Sequence, residues 1–341
     1  MQILSRLAHT AHSLSKFWKI SLICAVHSKF QHVRYQTTIL KVPYHNSVYL
    51  TVLLSQLRHL TTDSNLKMEE EIDKYFQVVL ELTKNAGKLI SERMFAQKTV
   101  ETKSGAIDFV TETDTEVEKI LIQGISNYFP DHRFIGEESV SSGGHCELTE
   151  VPTWIIDPVD GTMNFVHGFP HCCISIGLFI NCEPEIAIIY NPVLTQLFTA
   201  VKNKGAFLNG KRIHVSKEKD LSNALIMHES GTSKDPEKLD VVYKNLRMLI
   251  PQVHGIRSLG SAALNMAMVA LGGADAGFEY GIHIWDIAAG ELIIKEAGGV
   301  VLDPCGGPID RLSRRSLYAS TEELAKQLSE KLVQFYPLPR D

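Results

Sequence analysis

Trp154-Ile155-Ile156-Asp157-Pro158-Val159-Asp160-Gly161-Thr162 is an apolar run that ends in two carboxylates. The run reads as a buried strand. Pro158 is expected to stop further ladder pairing and Gly161 to permit a tight turn, so Asp157 and Asp160 emerge together at the strand end. Aspartates three apart on such a turn can face one pocket. Hard oxygen ligands of this kind suit magnesium, which also takes phosphate oxygens and waters. Thr162, just past the turn, can open a helix whose free N–H groups favour a bound phosphate. The competing reading is an ordinary acidic turn that caps a helix.

Other carboxylates bear on that choice. Gly136-Glu137-Glu138-Ser139 follows the short strand Phe134-Ile135, and Asp286 follows Ile284-Trp285 at an expected helix start. Taken singly, Glu137 or Glu138 is a solvated loop charge and Asp286 a simple N-cap. Together the three sets supply enough carboxylate to hold two or more divalent ions, which one stray cap would not explain.

Around these segments the chain alternates helix and strand. A first helix is expected from Met68, with Ile72, Tyr75, Phe76, Val79, Ala86 and Ile90 at helical spacing. A second starts at Asp114 or Thr115 and carries Val117, Ile120, Leu121 and Ile125 inward. Short β-rich runs follow at 133–136, 153–157, 173–180 and 185–190. Asn209-Gly210 between two short apolar runs marks a hairpin, because such a turn needs positive φ. Beyond it come a helix after Asp235-Pro236, a strand at 254–258 and a helix from about Ser261 to Gly272-Gly273. Strands at 276–280, 299–302 and 317–319, a helix over 286–297 and a last helix after Thr321 complete the pattern. This predicts layered α/β structure in two joined parts, with a boundary near residue 215.

Composition sets the outer limits. With 341 residues and 44% apolar composition the chain can bury a large core. The whole chain carries −5, yet residues 1–67 hold eight basic side chains against Asp63 alone, or +7, which leaves −12 on the remainder. An acidic body argues against general nucleic-acid binding. The six cysteines show no C-x-x-C pair, so free thiols in a reducing compartment are expected. The nearest approach to a membrane span, 48–54, is short and interrupted by polar residues. Residues 1–67 have the composition of a mitochondrial transit peptide; a disordered extension and an alternative start at Met68 are the other readings. Location is therefore expected to be cytoplasmic, or mitochondrial where the extension is a targeting signal.

Gly136-Glu137-Glu138-Ser139, Trp154 through Phe165 and Trp285-Asp286-Ile287-Ala288-Ala289-Gly290 resemble the signature segments of the inositol monophosphatase family, in that family's order and approximate spacing. The similarity runs from Met68 to the tail and leaves residues 1–67 outside it. The resemblance implies an αβαβα sandwich of the inositol monophosphatase and fructose bisphosphatase type, and a lithium-sensitive phosphatase using two to three Mg2+ ions. It also implies a homodimer, inositol monophosphate as substrate, and a role in inositol recycling and phosphatidylinositol signalling. Residue by residue, it places Glu137, Asp157 and the carbonyl of Val159 at a first metal and Asp157, Asp160 and Asp286 at a second. A third, weaker ion goes with Glu137. Asp114 and Thr162, with Glu137, match the group that positions the attacking water, and Gly161 and Thr162 the phosphate turn. Gly260, Ser261, Ala262 and Glu279 match contacts to the inositol ring, with Asp160 and Asp286 near its hydroxyls, and Lys103 matches a basic residue lining the site. Met163 and Gly168 depart from the family pattern; their effect is expected on packing or subunit contact.

The chemistry is consistent with that assignment. A phosphate monoester dianion is a poor electrophile, so its hydrolysis needs positive charge at the phosphoryl oxygens, an activated water and a stabilised leaving oxygen. Clustered acids supply these only by holding metal. Rival readings are separable. A phosphatase of the haloacid dehalogenase type needs D-x-D, whereas the spacing here is three, and it would form a phosphoenzyme. Bisphosphate nucleotidases and fructose bisphosphatases share the metal core but differ in the pocket; Gly255-Ile256-Arg257-Ser258 and Glu279 fit the inositol branch. A metal-binding scaffold without activity would have lost an acid or Thr162, and none is missing. His171, His254 and His283 are set aside as metal ligands because magnesium prefers oxygen. Cys172-Cys173 is read as strand packing, since neighbouring cysteines rarely form a relaxed bridge.

Overall fold

A computed structural model describes residues 47–98, 100–102 and 109–341, with side chains from 67 onward except those of Thr102 and Phe109. Two compact units divide the chain, Met1–Asn65 and Leu66–Asp341, and among the described residues the sheets lie in the second. Most of the basic extension, residues 1–46, lies outside the described residues.

Helix α1 (Ser47–Arg93) begins before the expected Met68. Its apolar stripe is as read: Ile72, Val79, Ala86 and Ile90 are buried, with Tyr75 and Phe76 packed partly against them. Strands β1 (Val100–Thr102) and β2 (Phe109–Thr111) pair as a small antiparallel ribbon. Helix α2 (Glu112–Tyr128) starts earlier than expected because Thr111, not Asp114, is its N-cap. The Thr111 hydroxyl accepts from the Thr113 N–H at 3.2 Å, and Asp114, in the third helical position, accepts from the Thr111 N–H at 3.0 Å. Ile120 is exposed, against expectation, since the buried stripe Val117, Leu121 and Ile125 runs in steps of four.

The remaining elements are β3 (Arg133–Gly136), α3 (Glu137–Ser141), β4 (Thr153–Asp160), α4 (Thr162–His167), β5 (Cys173–Ile180), β6 (Glu183–Asn191), β7 (Gln196–Val201), β8 (Gly205–Leu208), β9 (Lys211–Ile213), β10 (Leu225–His228), α5 (Pro236–Leu249), β11 (Gly255–Arg257), α6 (Ala262–Ala270), β12 (Ala276–Tyr280), α7 (Ile284–Glu296), β13 (Val300–Leu302), β14 (Arg315–Ala319) and α8 (Glu322–Ser329). Among the described residues, one sheet has the order β3-β4-β5-β6-β7-β8-β9 and a second β11-β10-β12-β14-β13. The first is antiparallel apart from β3 and β4; in the second, β11, β10 and β12 run parallel. Asn209 and Gly210 both take positive φ, as the hairpin between β8 and β9 requires.

Side-chain alternation sets the layers. Ile174, Ile176 and Leu178 of β5 meet α1 and α2, while Ala187 and Ile189 of β6 face α6 and α7 on the opposite side. The second sheet turns Met227 and Tyr318 toward the same two helices and covers its outer face with Val241 of α5 and Leu324 and Leu328 of α8. The result is the expected αβαβα sandwich, and α7, enclosed between sheets, is apolar nearly all round. No helix among the described residues is long and apolar enough to cross a membrane.

Candidate active site

Pro158 does not end β4. Asp157 pairs with Ser175 and Asp160 with Cys173, so three steps along β4 match two along β5 and the ladder carries one extra residue between them. That irregularity accommodates a proline, which has no N–H to donate. It also explains the spacing of the two acids. In an unbroken strand, residues three apart point to opposite faces; one inserted residue restores Asp157 and Asp160 to the same face.

Around these two acids the polar contacts are directional. The Val159 N–H donates to Asp157 Oδ1 at 3.0 Å. Asp160 accepts from the Ser261 hydroxyl at 2.5 Å and the Ala263 N–H at 2.7 Å on Oδ2, and from the Ala262 N–H at 3.3 Å on Oδ1. Its carboxylate thus sits at the N-terminus of α6, where the helix dipole favours negative charge. Asp286 occupies the third position of α7, not the N-cap, and accepts from the His283 N–H at 2.6 Å. One carboxylate oxygen from each of Asp157, Asp160 and Asp286 falls within 4.8 Å of the other two. Glu137, first residue of α3, joins them through a side-chain hydrogen bond with Asp157.

Close packing of like charges raises their affinity for protons. Burial pushes the Asp157 carboxyl well above its ordinary range, and the charges of Glu137, Asp160 and Asp286 push it further. Asp160 rises to about 7, from burial first and Asp286 second, against the hydrogen bonds of Ser261 and Ala263. Asp286 rises to about 6, mainly by burial, with His283 opposing and Glu137 adding to the rise. A buried all-oxygen cluster under this strain is relieved by protons or by a hard cation, and the donor set fits magnesium.

Thr162 opens α4, with Gly161 as its N-cap in the left-handed region at φ 89°. A Cβ on Gly161 would lie 2.8 Å from the His171 carbonyl oxygen and 3.1 Å from that of Gly260, so a glycine is required on both counts. The Thr162 hydroxyl is 3.1 Å from Asp114 Oδ1 and 3.1 Å from the Val159 carbonyl oxygen. Its one proton serves either, and its lone pairs stay available to a further donor such as water. Gly260 donates its N–H to Glu229 at 2.7 Å, and Ser261 and Ala262 bind Asp160 as described. Glu279, buried on β12, has its carboxyl raised by burial and by Glu229 and Asp286, with Lys238 countering. Lys103 lies outside the described residues.

Several residues around the site were not anticipated. Glu118 is buried on α2 and accepts from the Glu138 N–H at 2.8 Å and the Ser139 N–H at 2.9 Å, anchoring the turn that presents Glu137. Asn164 donates to the carbonyls of His171 at 2.7 Å and Leu259 at 2.6 Å, tying the two loops that flank Gly161. Glu229 also accepts from the Asn265 amide at 3.0 Å. Only Glu118 left a local trace, four residues after Asp114 on one helix face. Of the set-aside histidines, His254 is exposed, His171 stacks on Phe169, and His283 is the N-cap of α7. Cys172 and Cys173 are buried free thiols, and Gly168 caps the end of α4.

Residues 71–335 match the model of the inositol monophosphatase family. Inositol monophosphatase 1 of Homo sapiens is 47% identical over 262 residues, covering 76% of this chain and 94% of that protein. Thermotoga maritima IMPase superposes with a TM-score of 0.66 at 32% identity, over 77% of this chain and 95% of that one. A Staphylococcal inositol monophosphatase-1, solved as an inhibitory complex soaked in LiCl, gives a TM-score of 0.65 at 26% identity over 76% of this chain and 94% of its own.

Proposed function

The chain belongs to the inositol monophosphatase family, and from that premise we propose that it is a magnesium-dependent phosphoric monoester hydrolase cleaving inositol monophosphates to inositol and phosphate. The observation that carries this reading is the meeting of Asp157 and Asp160 of β4 with Asp286, more than 120 positions further along the chain, within 4.8 Å.

Glu137, Asp157 and the Val159 carbonyl would hold one ion, Asp157, Asp160 and Asp286 a second, and Glu137 a weaker third. When bound, magnesium supplies positive charge at the phosphoryl oxygens, a more acidic water and stabilisation of the leaving oxygen. The chain's own groups do the rest. Asp114 takes the Thr162 hydroxyl proton in a hydrogen bond, which leaves the Thr162 oxygen as acceptor for the attacking water. Glu137 stands on the other side of that water to receive its second hydrogen. The backbone N–H groups of Gly161 and Thr162 bind phosphate, while Gly260, Ser261, Ala262 and Glu279 line the polyol side. Lys103, by its match to the family's basic residue, would supply positive charge to the site. Direct attack by water leaves no phosphoenzyme.

Phosphate release from inositol 1-phosphate, with and without Mg2+, by the parent and Asp157→Asn tests the reading. Near-complete loss in the variant is expected, because Asp157 serves both ions. Retained turnover with unchanged Mg2+ dependence would contradict it. Inositol monophosphates are expected to outrun fructose bisphosphate and phosphoadenosine phosphate in a substrate panel, and lithium to inhibit. A homodimer is part of the proposal, supported by the exposed Phe95 and Phe169 around the α4 end; sedimentation tests it. The cytoplasm is the proposed location, and a fluorescent fusion of the full chain that enters mitochondria would assign residues 1–67 as a targeting signal instead.

A further inference from the structure

Helix α7 must present Asp286 to the acid cluster, and its first turn carries N–H groups that no residue of the helix can satisfy. An ordinary N-cap side chain would accept them. Here the cap is His283, whose ring forms a capping box with Asp286 and stacks on Trp285 at 4.5 Å between centroids and 5° between planes, which leaves the Ile284 N–H to another acceptor. The missing acceptor comes from far along the chain. Asp341 Oδ2 accepts from the Ile284 N–H at 2.9 Å, and Asp341 Oδ1 lies 2.5 Å from His283 Nδ1.

The His283 ring is held from both sides, by Asp341 at Nδ1 and by the Arg314 guanidinium 3.1 Å from Nε2. Arg314 also donates to the Pro339 carbonyl at 3.0 Å, and the Asp341 N–H donates to Leu312 at 3.2 Å, which fastens the segment Pro337–Asp341 to the 312–314 turn. The Asp341 side chain is 4% exposed, so this is a built contact and not a surface encounter.

We propose that Asp341 is a positioning residue for Asp286: by occupying the Ile284 N–H and holding His283, it leaves the Asp286 carboxylate bound by one oxygen to the His283 N–H, with the other directed to the metal cluster. Without Asp341 the Ile284 N–H is an unmet donor at the helix start, next to the His283 N–H that Asp286 already binds, so it draws the Asp286 carboxylate back toward the helix start. A swing of that kind withdraws a ligand from the cluster. The proposal rests on the metal-site reading given above.

Calorimetric titration of the full-length, metal-free chain with Mg2+ alone tests this, using the parent, Asp341→Ala and Asp341→Asn, with melting curves to establish that each is folded. Asp341→Ala is expected to weaken Mg2+ binding by roughly three- to tenfold, the range of a lost cap. Asp341→Asn keeps an oxygen for the Ile284 N–H and is expected to recover part of the affinity. In turnover, the Mg2+ required for half-maximal rate rises, while KM for inositol 1-phosphate at saturating Mg2+ stays at the parent value. Equal Mg2+ affinity in folded Asp341→Ala and parent overturns the proposal, whatever the change in melting temperature. Failure of the parent to bind Mg2+ removes the metal-site reading and this proposal with it.

Discussion

Asp160 must serve two partners that compete for its electrons. Its Oδ2 takes the Ser261 hydroxyl and the Ala263 N–H, leaving Oδ1, with a longer contact to Ala262, as the oxygen free for a cation. These donors work against the burial and the Asp286 charge that lift its carboxyl to about 7. Ser261 is therefore electrostatic as well as structural, and removing its hydroxyl moves the Asp160 pKa upward. Ser261→Ala is expected to shift the acid limb of the pH–rate profile to higher pH and to raise the Mg2+ requirement several-fold near neutrality, with a smaller defect at alkaline pH. The same hydroxyl accepts from the Leu264 N–H at 3.2 Å as the N-cap of α6, so about 1 kcal/mol of stability goes with it. Ser261→Thr, which keeps the oxygen, should restore both. An unmoved acid limb in Ser261→Ala would separate Asp160 from the rate-controlling ionisation.

The helix that carries Asp160's donors and the helix that carries Asp286 pack closely against each other. Gly290 of α7 faces Met266 of α6, and a Cβ there would sit 2.5 Å from Met266 Sδ and 2.8 Å from its Cβ. Gly290→Ala must force the helices apart or turn Met266 aside in a full core, at about 1–3 kcal/mol. Because the contact lies between the elements that bring Asp160 and Asp286 together, turnover is expected to fall with stability; denaturant unfolding beside a Mg2+ titration of the rate checks both. Normal Mg2+ dependence in a destabilised variant would confine the effect to packing. Elements of this kind differ in how far they can be read from residues alone. The α1 stripe, the Asn209-Gly210 turn and α5 after Asp235-Pro236 are local signals, and they fold as read. The acids were legible too, but the reason for their spacing was not: Pro158 suggested a strand end, whereas pairing with β5 makes it a bulge, and that depends on a partner outside the motif. Asp286 read as an N-cap because the true acceptor for that helix start is Asp341, 55 positions away. Glu229 and Asn164 gain their meaning only when separate loops converge on Gly260, which no short pattern records.

On the scale of the whole molecule, the acid cluster opposes the fold that builds it. An unfolded Asp titrates near 3.8, whereas Asp286 and Asp160 in the folded chain titrate at about 6 and about 7. Between those limits the folded state binds more protons than the unfolded one, so this cluster's contribution to stability falls as pH rises from about 4 to 7 and stays at its lowest above that. Groups such as Glu291, whose carboxyl is lowered because Arg311 and Lys295 outweigh its burial, act in the opposite direction at low pH. The cluster must therefore be isolated by comparison with Asp160→Asn, which removes one charge from it. In the metal-free state the variant is expected to melt above the parent near pH 8, with the gap narrowing toward pH 5 as the parent's carboxylates protonate. Mg2+ reverses the order, since it binds the ionised folded form and adds stability as the logarithm of one plus the ratio of its concentration to its dissociation constant. The Mg2+-induced rise in melting temperature of the parent should thus be larger near pH 8 than near pH 5, where protons hold the same oxygens, and should be much reduced in the variant at either pH. Scanning calorimetry of both proteins with chelator and with excess Mg2+ measures all of these differences. A parent that gains equally from Mg2+ at the two pH values would mean that the ion binds somewhere other than the raised carboxylates.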